Sequence, residues 1–242
     1  MKHKIITFGE LMLRLSPDNN ERFTQAHSYE AVYGGGEANT AVSLANFNVD
    51  TRYVTKLPKH TIGQSAVNSL RQYGVDVSRI VRGGDQIGIY FLEKKTSQRP
   101  TNVIYNRNGS AFALATKEDF DWDSIFDGAT WFHFSGITPA ISDNMAEITI
   151  EACKEAKKRG ITVSCDLNYR SKLWSSEKAN KVMSEVCRYV DICIANEDDA
   201  VGIFGMDASK SDKEKNAYIA EELTKMFPNF KMVASVWRTE TS

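Results

Sequence analysis

The sequence predicts an α/β fold: a mostly parallel sheet with helices on both faces and a small extra β-layer. Three observations predict it. Strand and helix periodicities alternate regularly through the second half of the chain. Polar residues gather where the strands of that half end, as expected of a ligand-binding parallel sheet. The first half instead has short alternating stretches around a glycine-rich helix start. At 242 residues and 42% hydrophobic, the chain can bury the core such a fold needs.

The elements follow in order. Met1-Lys2-His3-Lys4 leads into Ile5-Ile6-Thr7-Phe8, which reads as a first strand. Short alternating stretches at Arg52–Leu57, Ile87–Lys94 and Asn102–Asn106 are separated by helices expected at Glu37–Phe47 and Gly63–Tyr73. The last two stretches flank a turn containing Pro100 and read as a hairpin. A β-layer built from them suits either a lid over a ligand or an ordinary sheet extension. In the second half, Ala129–Ser135 is a strand, and Ser142 caps a helix with Met145, Ile148, Ala152 and Ala156 at helical spacing up to Gly160. Ile161–Cys165, the helix Lys178–Arg188, the strand Val190–Ala195, the helix Ser211–Phe227 and the strand Lys231–Val236 continue the alternation. The carboxyl ends of these strands are Ser135-Gly136, Asp166 to Arg170, Asn196 to Asp199, and Trp237-Arg238-Thr239.

Composition narrows the function classes. A net charge of −1 provides no basic field for nucleic acid or an anionic membrane. The apolar runs fall far short of the ~20 residues a bilayer requires, and the amino terminus lacks the features of a signal peptide. Cys153, Cys165, Cys187 and Cys193 form no Cys-x-x-Cys pair and lie in apolar patterns. They read as buried thiols of a reduced, cytoplasmic protein, with a metal or redox site as the alternative. The four histidines are scattered without metal spacing; His133 reads as a strand residue and Trp174 as a packing residue.

Several segments carry chemistry. Gly34-Gly35-Gly36-Glu37-Ala38-Asn39 opens a helix, where backbone N–H groups and the helix dipole favour oxygen-rich ligands; a tight turn is the plain alternative. The segment is far from the first strand and puts Asn39 where a dinucleotide fingerprint needs its third glycine. No P-loop motif occurs. Tyr105, Arg107 and Ser110 lie within a few residues of one another. Asp166, Asn168 and Arg170 would share a face if their segment stays extended, and Arg170 could then grip a carboxylate or phosphate, or simply form a surface ion pair. Asn196-Glu197-Asp198-Asp199 suits either water-mediated Mg²⁺ binding or an acidic, capped helix start.

Taken together, these segments resemble the ribokinase family of carbohydrate kinases, and within it the 2-keto-3-deoxygluconate kinases. The resemblance rests on Phe8-Gly9-Glu10, Gly34 to Asn39, Gly88 to Glu93, Arg99-Pro100, Val103 to Arg107, His133 to Pro139, Asp166 to Arg170 and Asn196-Glu197. It implies a Rossmann-like, doubly wound, mostly parallel sheet with a small β-sheet lid from about 10–33 and 87–107, all in one domain spanning 1–242. It further implies that Gly35 and Asn39 contact sugar hydroxyls, that Tyr90 and Tyr105 come from the lid, and that Arg107 and Arg170 hold a carboxylate. Asn168 and Asn196 would lie on the ATP phosphate side, with Glu197 and Asp199 toward Mg²⁺. The implied reaction moves the γ-phosphoryl of ATP to a primary hydroxyl of a sugar acid, in a chain that could form homo-oligomers. Two departures stand out: Asp199 replaces the family's Glu, and Asn106 replaces its usual Asp. The family's aspartate base sits in Gly-Ala-Gly-Asp, and no glycine follows Gly205 here. The catalytic base and the adenine loops are therefore expected in a missing carboxyl-terminal part.

Overall fold

A computed structural model describes residues 3–207 and 212–235. In chain order the strands and helices are β1 (Lys4–Phe8), β2 (Met12–Pro17), β3 (Tyr29–Gly34), α1 (Gly36–Asn46), β4 (Asp50–Val54), β5 (Lys56–Leu57), α2 (Thr61–Arg71), β6 (Val81–Arg82), β7 (Ile89–Glu93) and β8 (Asn102–Asn106). They continue with α3 (Trp122–Ile125), β9 (Trp131–Ser135), α4 (Ile137–Ala140), α5 (Asp143–Lys158), β10 (Thr162–Asp166), α6 (Ser176–Cys187), β11 (Ile192–Ile194), α7 (Glu197–Phe204), α8 (Asp212–Met226) and β12 (Met232–Ala234). The chain divides into two compact units, one of Met1–Ile6 with Trp122–Ser242 and the other of Thr7–Asp121.

The first unit holds the strand order β12-β11-β10-β9-β1. β10 runs parallel to both β9 and β11, and β11 is parallel to β12. This is the expected parallel sheet, and it arises for the expected reason, since β9, β10 and β11 are each followed by helices that shield an apolar layer. Ser142 caps α5 as anticipated, its Oγ accepting the Met145 N–H at 3.2 Å. α6 starts before the expected Lys178 because Ser175 caps it, accepting the Lys178 N–H at 3.2 Å. The core is aromatic at one end, with Phe126 edge-on to Phe132 at 5.2 Å and Phe132 stacked on Phe134 at 5.5 Å. Cys153, Cys165, Cys187 and Cys193 are all buried and unpaired, and burial raises each thiol well above its ordinary pKa. Trp174 is buried as well. His133 is a strand residue whose Nδ1 lies 2.9 Å from Ser164 Oγ. Trp237, Arg238 and Thr239 lie outside the described residues.

In the second unit β4 flanks the end of β1, and a separate four-stranded sheet has the order β3-β2-β7-β8. That sheet is mixed: β2 is antiparallel to β3 and parallel to β7, while β7 and β8 form the antiparallel hairpin read from the sequence. Beneath it, Leu11, Ala38, Ala41, Tyr53, Leu57 and Leu70 belong to one buried cluster. Phe8 meets Phe112 and Phe120 edge-on at 5.5 and 5.2 Å. No described helix is long and apolar enough to cross a membrane.

Candidate functional site

The small sheet of the second unit has two chemically different faces. Paired residues on neighbouring strands point to the same side, and successive residues alternate. Leu13 pairs with Tyr33 and with Ile89, and all three pack against the buried cluster. The next row across the sheet is Val32, Arg14, Tyr90 and Tyr105, and it occupies the other face. The Tyr90 and Tyr105 rings lie 5.9 Å apart on that row. The guanidinium carbon of Arg107 sits 5.9 Å from the Tyr105 ring centre.

The glycine-rich segment meets this face. A Cβ placed on Gly34 would lie 3.7 Å from the Tyr90 hydroxyl and 4.0 Å from Asn39 Oδ1, so both polar groups reach the same spot. Gly35 precedes α1 without a side-chain cap, which leaves first-turn N–H groups for other acceptors. A Cβ on Gly35 would come within 2.2 Å of the Glu10 carbonyl oxygen, so only glycine allows this close approach. Gly34 and Asn39 also border a cavity of about 430 Å³ with Leu11, Tyr33, Val42 and Tyr73, whose walls do not include Tyr90, Tyr105 or Arg107.

Arg107 is anchored rather than exposed. Its Nε donates to Glu10 Oε2 at 2.8 Å, its Nη2 forms an ion pair with the same oxygen, and Ser110 Oγ donates to Glu10 Oε1 at 2.5 Å. All three residues are buried. Burial pushes the Glu10 carboxyl above its ordinary pKa, while Arg107 and Ser110 pull against that rise. Glu37, buried in the first turn of α1, packs so closely on Gly9 that a Cβ there would lie 2.5 Å from its carboxyl carbon. Sequence reasoning quoted Glu10 and Glu37 only inside motifs and gave neither a role. A charged residue two positions beyond the mostly apolar strand β1 was the available clue to Glu10.

The remaining expected site residues belong to the first unit. β10 ends at Asp166, and Asn168 takes a left-handed backbone with φ 40°. The condition for Asp166, Asn168 and Arg170 to share a face, an extended segment, is therefore not met: the chain turns at Asn168. Arg170 is exposed, and its Nη1 donates to the Tyr169 carbonyl at 3.0 Å. Asn196 and Asp199 form a reciprocal capping box at the start of α7. Asn196 Oδ1 accepts from the Asp199 N–H at 2.9 Å, and Asp199 Oδ2 accepts from the Asn196 N–H at 3.1 Å. Asp199 Oδ1 accepts the Tyr169 N–H at 2.7 Å, so both of its oxygens hold backbone. Burial raises the Asp199 pKa against these bonds. Glu197 lies in the first turn of the same helix.

The family model of pfkB family carbohydrate kinases matches residues 2–229. The chain belongs to this family. Among solved structures, a 2-dehydro-3-deoxygluconokinase from Thermotoga maritima superposes with a TM-score of 0.93 at 49% identity, covering 97% of this chain and 71% of that one. A 2-dehydro-3-deoxygalactonokinase of Haloferax volcanii is 37% identical over 86% of this chain, and a 2-dehydro-3-deoxygluconokinase of Bacillus subtilis is 29% identical over 73%. The chain spans 65% and 55% of the lengths of these two relatives. The parallel sheet and the small mixed sheet are thus those of a pfkB-family, ribokinase-like fold.

Proposed function

We propose that this chain carries the sugar-acid-binding face of an ATP-dependent kinase that phosphorylates 2-keto-3-deoxygluconate at its primary hydroxyl. The observation that carries the reading is the single polar face on which Tyr90, Tyr105 and Arg107 gather beside Gly34 and Asn39. The likeness to the Thermotoga maritima kinase supports the choice of acid. In this reading, Gly35 and Asn39 receive sugar hydroxyls at the start of α1, and Tyr90 and Tyr105 close over the ring or chain from the small sheet, which acts as a lid. Arg107 takes the carboxylate. Asn168 and Asn196 serve the phosphates of ATP. Asp199 already holds two N–H groups and the turn before Arg170, so it does not suit direct metal coordination; Glu197 reaches Mg²⁺ through waters. Mg²⁺, when bound, offsets phosphate charge, and the side chains named here position the reactants. The buried, reduced thiols agree with a cytoplasmic setting.

Calorimetric titration of the chain with 2-keto-3-deoxygluconate, ribose and fructose tests the proposal. Saturable binding of the acid with much weaker binding of both neutral sugars is expected; no preference for the acid overturns it. The Haloferax volcanii relative favours a second reading, in which the epimeric 2-keto-3-deoxygalactonate is the substrate. The same titration with that epimer decides between the two acids.

A further inference from the structure

The polar face of the lid carries a second arginine that the resemblance does not assign. Arg14 lies on β2 in register with Tyr90 on one side and Val32 on the other, in the row that ends at Tyr105. We propose that Arg14 is a specificity-determining residue, whose guanidinium draws an anionic sugar to this face and donates to one of its oxygens. This rests on the proposed function and adds to it a residue and a basis for selectivity.

Three observations carry the assignment. First, the Arg107 charge is largely answered inside the protein, because its Nε and Nη2 both address the buried Glu10. A neutralised pair can orient a carboxylate but adds little net attraction for one, so selection of an acid over a neutral sugar calls for another cation on the same face. Second, Arg14 is weakly committed. Its Nη2 lies 3.8 Å from Glu30 Oε2, an oxygen that Lys94 Nζ approaches more closely at 3.1 Å. A half-exposed pair at that distance is a weak interaction. Third, Arg14 Nε is enclosed and has no hydrogen-bond partner. The guanidinium is thus held by no hydrogen bond at Nε, and little is lost if it turns toward a ligand oxygen. Strands are ~4.8 Å apart, so Arg14 stands one strand from Tyr90 and two from Tyr105, within the span of one six-carbon acid.

The test is calorimetry of 2-keto-3-deoxygluconate with the wild-type chain and with Arg14→Met, which keeps the stem and removes the charge. Arg14→Met is expected to bind the acid at least tenfold more weakly, with a flatter dependence on salt, and Arg14→Lys to recover part of the loss. Glu30→Gln, an exposed change, frees Arg14 and is expected to tighten binding; this variant decides the matter if Arg14→Met folds poorly. Unchanged affinity in a folded Arg14→Met overturns the assignment, as does unchanged affinity in Glu30→Gln when Arg14→Met is unfolded. Wild-type binding with no effect of these changes sinks Arg14 alone, whereas a wild-type chain that binds no sugar acid overturns the proposed function and Arg14 with it.

Discussion

At Glu10 and Arg107, two charges from positions 97 residues apart are held together in the protein interior. Ions so deeply placed depend on each other, because removing one leaves the other without compensation. Arg107→Ala is therefore expected to lose about 3–5 kcal/mol of stability as well as sugar-acid affinity, and Arg107→Ala with Glu10→Ala to recover part of the stability but not the affinity. Urea unfolding and calorimetry on the same samples separate the two effects. Asp191 makes a comparable junction: burial pushes its pKa up, but Lys157, the Val163 N–H and Lys231 outweigh that and hold it below the ordinary value. Its two oxygens each lie 2.8 Å from Lys157 Nζ, and Lys231 Nζ is 3.0 Å away. A carboxyl with a lowered folded pKa adds stability above its unfolded pKa of about 3.9 and loses it as pH falls through the folded value. Asp191→Asn should thus be less stable at pH 7, and its stability should fall less between about pH 5 and pH 2. Thermal melts across that range would contradict the argument if the two proteins lost stability in parallel.

Among the elements, those with clear periodicity and a capping residue were legible in the sequence. Ser142 and its helix are where they were expected, as are the hairpin of β7 and β8 and the strands β9 and β10. α7 was read only as one of two options for an acidic segment, because a metal site and an N-cap use the same residue types; the reciprocal bonds of Asn196 and Asp199 show the cap. β2 and β3 came into view only through the resemblance, since their apolar and polar positions are set by the two different faces of the small mixed sheet rather than by a single core. The turn at Asn168 was not legible, and the shared face of Asp166, Asn168 and Arg170 depended on the segment staying extended past the strand end. Candidate site residues could be named from the sequence, but Glu10 could not be given a role, because its partner Arg107 is far away in sequence. At this scale the start of α1 gives its own prediction. Gly35→Ala would put a methyl carbon 2.2 Å from the Glu10 carbonyl oxygen. Backbone must then move, at about 1–3 kcal/mol, and the loop that faces Tyr90 moves with it. Sugar-acid affinity should drop at least tenfold in calorimetry, while Gly36→Ala, which meets nothing within 4 Å, should leave binding unchanged. Equal effects of the two substitutions would mean that close packing at Gly35 does not shape the site.

For the molecule as a whole, binding and turnover are expected to come apart. The residues that the proposed function assigns to the sugar, from Gly35 to Arg107, all lie within the second unit. The resemblance places the base and the anion-binding helix start in a Gly-Ala-Gly-Asp segment, and residues 206–242 contain no glycine. A missing general base lowers a rate by ~10²–10⁴, and loss of an oxyanion-type donor lowers it by about 10²–10³ more. Kinases of this general kind work at ~1–100 s⁻¹, so residues 1–242 alone should show no sugar-dependent ATP turnover in a coupled assay while still binding the acid in calorimetry. Binding without turnover would show that recognition of the acid is complete within these residues and that the chemical step draws on others. Turnover near 1 s⁻¹ would instead place a base among the residues named here. The carboxylates of the first unit, Asp166 and Glu197 first, would then be the positions to substitute.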